Sequence, residues 1–264
     1  RVLLFFLRKK PLYSNFNARK GSAIMNFTWV SNLCNDFWLV QAPRAAAAVF
    51  IIFNLVAMQL YPGGTIHNPH SANYHLTQNF FSDLGRAVAY NGVQNFHSSL
   101  IFNLTLLIIG ITFSIFYFTL PEFFRHSRAN HTLAKIGTLF GLLGGLSFIG
   151  VALTPSDLYL NQHILFANGI FRMALATSLC FGVVIYRSDV MPSKYAFGYV
   201  FFALFLAVYI AISEFGPNAR ESEAAMIFQV VTQKLIVVVF LLSVVYQTFG
   251  FSNNPDLIKS KQLA

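Results

Sequence analysis

The chain has 264 residues, 56% of them hydrophobic and only 10% charged, against roughly 25% charged in an average soluble domain. So few charges cannot cover a soluble surface of this size, and the apolar residues come in blocks that match the roughly 20 residues a helix needs to cross a bilayer. The net charge of +9 does not point to nucleic acid, because no basic stripe is interleaved with aromatics.

These numbers predict an all-α fold: a polytopic membrane helical bundle of about six transmembrane helices. Residues 1–44 read as a basic cytoplasmic segment, 45–250 as the transmembrane domain and 251–264 as a cytoplasmic tail. Six of the 18 basic residues (Arg1, Arg8, Lys9, Lys10, Arg19 and Lys20) lie in the first 24 positions, suited to anionic headgroups. The stretch Arg1–Lys20 has a short apolar run but no small-residue cleavage site of the kind a signal peptide carries. Met25 is an alternative natural start, so residues 1–24 carry no functional expectation. Trp29 and Trp38 precede the first span, where interfacial aromatics sit.

The spans are expected at Ala45–Tyr61, Ser98–Leu120, Leu133–Thr154, His163–Tyr186, Tyr195–Ser213 and Ala225–Phe249. In lipid every backbone polar group must be satisfied within the segment, which forces helix. Pro62, Pro121, Pro155, Pro192 and Pro217 fall at or just past span ends, where a helix stops without losing an internal bond. With both termini inside, the inner segments hold fourteen basic residues and the outer loops only Arg86 and Arg220. The positive-inside rule therefore places both ends in the cytoplasm.

The third span carries Gly137, Gly141, Gly144 and Gly145, a small-residue face of the kind that lets membrane helices approach closely. Packing within one chain is the expected use, with homo-oligomer formation through this span as the alternative. Cys34 and Cys180 belong to no CxxC pair, so neither a disulfide framework nor a zinc site is expected.

Polar residues concentrate on the outer side. The first outer loop, at 62–97, is 36 residues long and carries His67, His70, His75, Asp83, Arg86 and His97. The second carries Asp157 and leads into His163, and the third carries Glu214, Arg220, Glu221 and Glu223. Two cations lie inside spans, Arg172 and Lys234, each nine residues from the outer end of its predicted helix. That is a depth of roughly 13–14 Å, and an unpaired cation there is costly. The matching depths suggest one outward-facing polar cavity, with Asn168 a turn above Arg172 and Gln229 and Gln233 beside Lys234. Asp83, Asp157 and Glu214 are the candidate counter-ions. The expected ligand-binding residues are thus Asp83, Asp157, His163, Asn168, Arg172, Glu214, Gln233 and Lys234; the competing expectation is that the two cations merely pair with carboxylates to fix the bundle.

Catalysis has weaker support. His67, His70 and His75 have no helical register, and Asp157 with His163 matches no spacing that fixes a metal. His97 and Ser98 are sequence neighbours and point to different helix faces. His97, Asp157 and His163 remain the weak catalytic candidates, with no metal and no cofactor expected.

The run Ser71–Gly110 contains Ser82-Asp83-Leu84-Gly85, then Asn95 and Phe102-Asn103. Downstream lie the glycine-rich segment Gly141–Gly150, Pro155-Ser156-Asp157 and His163. In these features the chain resembles the six-pass membrane family of domain of unknown function 998, over about Ala45 to Phe249. In layout it is also similar to the six-pass DRAM, Frag and Sfk relatives. The resemblance implies a six-span fold with an outward polar site, and no particular activity; the stretch His67–His75 has no counterpart in that pattern. Ser82 is expected to cap a short helix in the outer loop, with Asp83 in its first turn and Gly85 at a turn or close-packing position.

The favoured expectation is a non-catalytic multi-pass protein of the cell membrane, with membrane lipids as partners, that binds a lipid or small amphiphile. A membrane hydrolase using outer His and Asp residues is one alternative. A small-solute transporter is another, disfavoured because no inverted repeat or broken helix pair is visible.

Overall fold

The computed structural model describes residues 28–262. The basic cluster at Arg1–Lys20, the alternative start at Met25 and the side chain of Trp29 lie outside the described residues. A short helix α1 (Thr28–Leu33) leads through a π-helical turn (Phe37–Gln41) into α2 (Ala42–Leu60). Then follow α3 (Phe96–Thr119), α4 (Arg128–Leu153), α5 (Leu160–Tyr186), α6 (Ser193–Phe215), α7 (Glu223–Ser252) and α8 (Pro255–Gln262). Helices α2 to α7 are each long and apolar enough to cross a membrane. Consecutive helices pack on one another and α7 returns to α2, which closes the bundle.

Every span starts earlier than expected, and the spans of α6 and α7 also end later. Ser127 Oγ accepts from Asn130 N and Ser222 Oγ accepts from Ala225 N, so hydroxyl caps start α4 and α7 before their apolar runs begin. The first span starts at Phe37 rather than Ala45, because the turn Phe37–Gln41 runs directly into α2. Arg44 therefore belongs to the helix. Its Nε donates to Thr248 Oγ1 and its Nη2 to Ser252 Oγ, at 2.8 and 3.0 Å, with the guanidinium over the Phe249 ring. The described part of the expected tail, 251–262, packs on the bundle: α7 runs on to Ser252, and Ile258 of α8 is buried in one cluster with Cys34, Leu39, Phe123 and Phe251. Burial in that inner cluster pushes the Cys34 thiol up to about 12, which keeps it un-ionised.

The glycine face of α4 is filled from both sides within the chain. Gly141 meets the Tyr117 ring of α3, and Gly137 meets Cys180 and Phe181 of α5. A Cβ on Gly145 would lie 2.7 Å from the backbone oxygen of Gly110 and would also strike Ser114. Helices α3 and α4 thus touch backbone to backbone. A Gly145→Val substitution is expected to lower stability by about 1–3 kcal/mol through overpacking. Thermal unfolding in detergent checks this, and an unchanged midpoint would refute it.

Candidate functional site

The long outer loop folds as a cap. It opens with Gly63 and Gly64, at φ of 122° and 86°; a Cβ on either would fall 2.5 Å from backbone atoms of Ser71 or Asn91. Only glycine allows the chain to double back so closely. Asn91 Nδ2 donates to Pro62 O and Asn79 Nδ2 to Gly64 O, so asparagine side chains supply the hydrogen bonds that a loop backbone lacks.

At the centre of the cap is a 3₁₀ turn, Phe81–Gly85. Ser82 is not its cap. The turn starts after Phe80, whose N–H donates to Asp83 Oδ2 at 2.8 Å, and Asn79 Nδ2 donates to the same oxygen. Asp83 is 3% exposed, and burial pushes its carboxyl up to about 6 despite these hydrogen bonds and the Arg86 and Lys234 charges nearby. Gly85 is the close-packing position expected, since a Cβ there would enter the Phe102 ring. Asn95 Nδ2 donates to Leu84 O and Arg86 O, and Ser98 Oγ to Leu84 O. The Ser-Asp-Leu-Gly step and the start of α3 are therefore one hydrogen-bonded unit.

Side chains from elsewhere hold the cap down, among them Glu223, whose Oε1 accepts from Gln78 Nε2. The Asp157 carboxylate accepts from Ala87 N and Val88 N, at 3.0 and 2.9 Å. Gln233 Oε1 accepts from Phe81 N. Lys234 Nζ donates to Asn79 O and lies over the rings of Tyr74 and Phe81.

Beneath the cap lies a partly open cavity of about 90 Å³. Phe81 and Ser82 of the cap line it, together with α2, α3, α4, α5 and α7. Its deep end is an aromatic cluster: Phe240 is stacked on Phe113 and edge-on to Phe148 and Phe202. Its polar side chains are Ser82, His163 and Gln233, and all three belong to the cap end. His163 is in the first turn of α5 and Gln233 bonds the cap itself. Helices α5 and α7 are bridged on one side by α6, whose buried residues end at Leu206. The outer half of α6 is tethered instead by Phe171 against Tyr209, by Arg172 with Glu214, and by Gln229 Nε2 donating to Ile212 O.

The single polar cavity expected around both cations is not what forms. The lining is mainly apolar, and neither Arg172 nor Lys234 is part of it. Arg172 pairs with Glu214 at 2.6 Å, with the arginine side chain 51% exposed. Glu214 is the next-to-last residue of α6, so the guanidinium of this cation reaches the end of the neighbouring helix. Asn168 lines only the narrow cleft beside that pair. Lys234 is satisfied by the cap, because the loop descends onto α7. Asp157 is likewise no counter-ion to a buried cation; its oxygens are taken by the two backbone N–H groups.

Among the described residues no hydrogen bond joins the catalytic candidates His97, Asp157 and His163, although Asp157 is near enough to act on the His163 ring. His97 is exposed at the start of α3, edge-on to Phe96, Ser98 is turned into the cap, and His67 Nε2 lies 2.8 Å from Ala219 O. Among the described residues no three His, Cys, Asp or Glu side chains cluster. Sequence reasoning misses Asn79, the hub joining Gly64, Asp83 and Lys234; its one signal is a polar residue four places before Asp83. Comparison of the chain with models of protein families, with curated proteins and with solved structures gave no match.

Proposed function

We propose that this multi-pass membrane protein is a non-catalytic binder of a lipid or small amphiphile, which it holds in the cavity beneath the outer cap. One observation carries the reading: the cavity is amphipathic along its depth, with Ser82, His163 and Gln233 at the cap end and phenylalanines at the floor. Such a gradient matches a molecule with a polar head and an apolar body. A volume of about 90 Å³ suits a head and its first few carbons, with the rest of the chain left in the bilayer. The cell membrane is the proposed location, with the cap outside. Membership of the family of domain of unknown function 998 is part of the same proposal, supported by Ser82-Asp83-Leu84-Gly85 and Asn95.

Ala167 lines the cavity, and Ala167→Trp would fill it. Native mass spectrometry of the full chain released from nanodiscs is expected to show a retained amphiphile on the wild type and at least a tenfold loss on the variant. The variant's unfolding temperature should be kept or raised, since filling a void adds contacts. Identical lipid adducts on the two folded proteins would overturn the reading.

A further inference from the structure

We propose that the amphiphile taken by this cavity is uncharged and carries a free hydroxyl group that donates a hydrogen bond to Nε2 of His163. This rests on the binding reading above and names the chemistry of the head.

The imidazole orientation decides the matter. His163 Nδ1 lies 2.6 Å from the backbone oxygen of Thr154. A carbonyl can only accept, so Nδ1 carries the proton. The other nitrogen is then either the lone pair of a neutral ring or the second N–H of an imidazolium. The lining itself offers no carboxylate and is mostly apolar. Asp157 acts on the ring from outside the lining, but its two oxygens are taken by Ala87 N and Val88 N, so a buried imidazolium would be poorly compensated. Nε2 is therefore an acceptor.

That acceptor has no partner. His163 is 5% exposed, and its Nε2 is one of four buried side-chain atoms without a hydrogen bond among the described residues. The others belong to Asn54, Asn95 and Ser178, none of which lines this cavity. An orphaned acceptor on a residue that lines a void is a place for a donor. A water could draw on Ser82 and Gln233 besides Nε2, but it would leave the phenylalanine-lined floor unfilled. A hydroxyl joined to an apolar body satisfies both surfaces at once.

The rest of the lining sets the charge of the head. No lysine, arginine, aspartate or glutamate faces the cavity, so a phosphate or a quaternary ammonium would be desolvated without compensation. Gln233 has its Oε1 committed to Phe81 N, which leaves its amide protons to meet an acceptor such as an ester carbonyl next to the hydroxyl. The head is thus that of a neutral hydroxylated lipid.

The test uses the full chain in phosphatidylcholine nanodiscs and two photoactivatable, alkyne-tagged probes: a diacylglycerol with its free hydroxyl, and the same molecule O-acetylated. Labelling of peptides from α5 and α7 by the free-hydroxyl probe is expected to exceed the acetylated one about tenfold. In His163→Phe, which keeps a ring but no acceptor, the preference should fall to about one. Equal labelling of these peptides by both probes in the wild type would sink the hydroxyl assignment while leaving the cavity as a lipid site. No labelling of them by either probe would overturn the binding reading too. Should His163→Phe fail to fold, competition in the wild type decides: unlabelled diacylglycerol must displace the probe, and displacement by its methyl ether to the same extent would refute the assignment.

Discussion

Asp83→Asn is expected to remove a pH dependence of stability that the wild-type protein shows between about pH 4 and pH 6. The folded chain holds the Asp83 carboxyl at about 6, above its ordinary value of 3.8, because burial opposes its ionisation. A raised carboxyl means that the folded state binds the proton more tightly than the unfolded chain. The stabilising contribution is full below the unfolded value and is lost as the pH rises through about 6. Lowering the pH from about 7.5 to about 4.5 should therefore stabilise the wild type by about 2 kcal/mol from this group alone. Asparagine keeps an oxygen to accept from Phe80 N and Asn79 Nδ2 but has no proton to lose. The variant should match or exceed the wild type at pH 7.5 and lack this increment at low pH. Unfolding temperatures in detergent across that range provide the measurement. A wild-type curve no steeper than that of Asp83→Asn would show that the carboxyl is not held as described.

The second large effect is expected at Asp157. Its two oxygens accept from the backbone N–H groups of Ala87 and Val88, and hydrogen bonds to a charged group contribute about 1.5–3 kcal/mol each. Asp157 is half-buried, so solvent screens part of this. Asp157→Ala should destabilise by about 2–4 kcal/mol and Asp157→Asn, which keeps one carbonyl oxygen, by about half as much. The loss should be local before it is global. Hydrogen exchange at the Ala87 and Val88 amides should accelerate in both variants, while exchange in the inner halves of α3 and α4 stays as in the wild type. Unchanged protection at those two amides would refute the clamp.

Six spans were legible in the sequence because lipid leaves the backbone no choice. Each apolar block had to be a helix, and the prolines and hydroxyl residues around it marked where it could stop. Gly85 and the glycines of α4 were legible for a related reason: small residues inside long apolar stretches mean that something approaches closely. What the pattern could not say is which neighbour does so, and the answer is that α3 and α5 both press on α4.

The cations show where sequence reasoning ran out. Arg172 and Lys234 are equivalent by their distance along each helix, nine residues from its expected outer end. In three dimensions the end of α6 comes within reach of the Arg172 side chain and gives it Glu214, while the outer loop comes within reach of Lys234 and gives it Asn79 O. Helix length and loop descent are set by packing between elements, and no local spacing records them.

The sequence by itself determined the membrane class, the six helices and the concentration of polar side chains on one side, since each follows from local composition and the physics of a bilayer. Only the tertiary structure decided that the loop is a folded cap, that Asp157 clamps it, and that His163 lines an apolar cavity with its Nε2 left without a hydrogen bond. Those outcomes depend on hydrogen bonds between residues as far apart as Phe81 and Gln233, which one-dimensional periodicity does not encode.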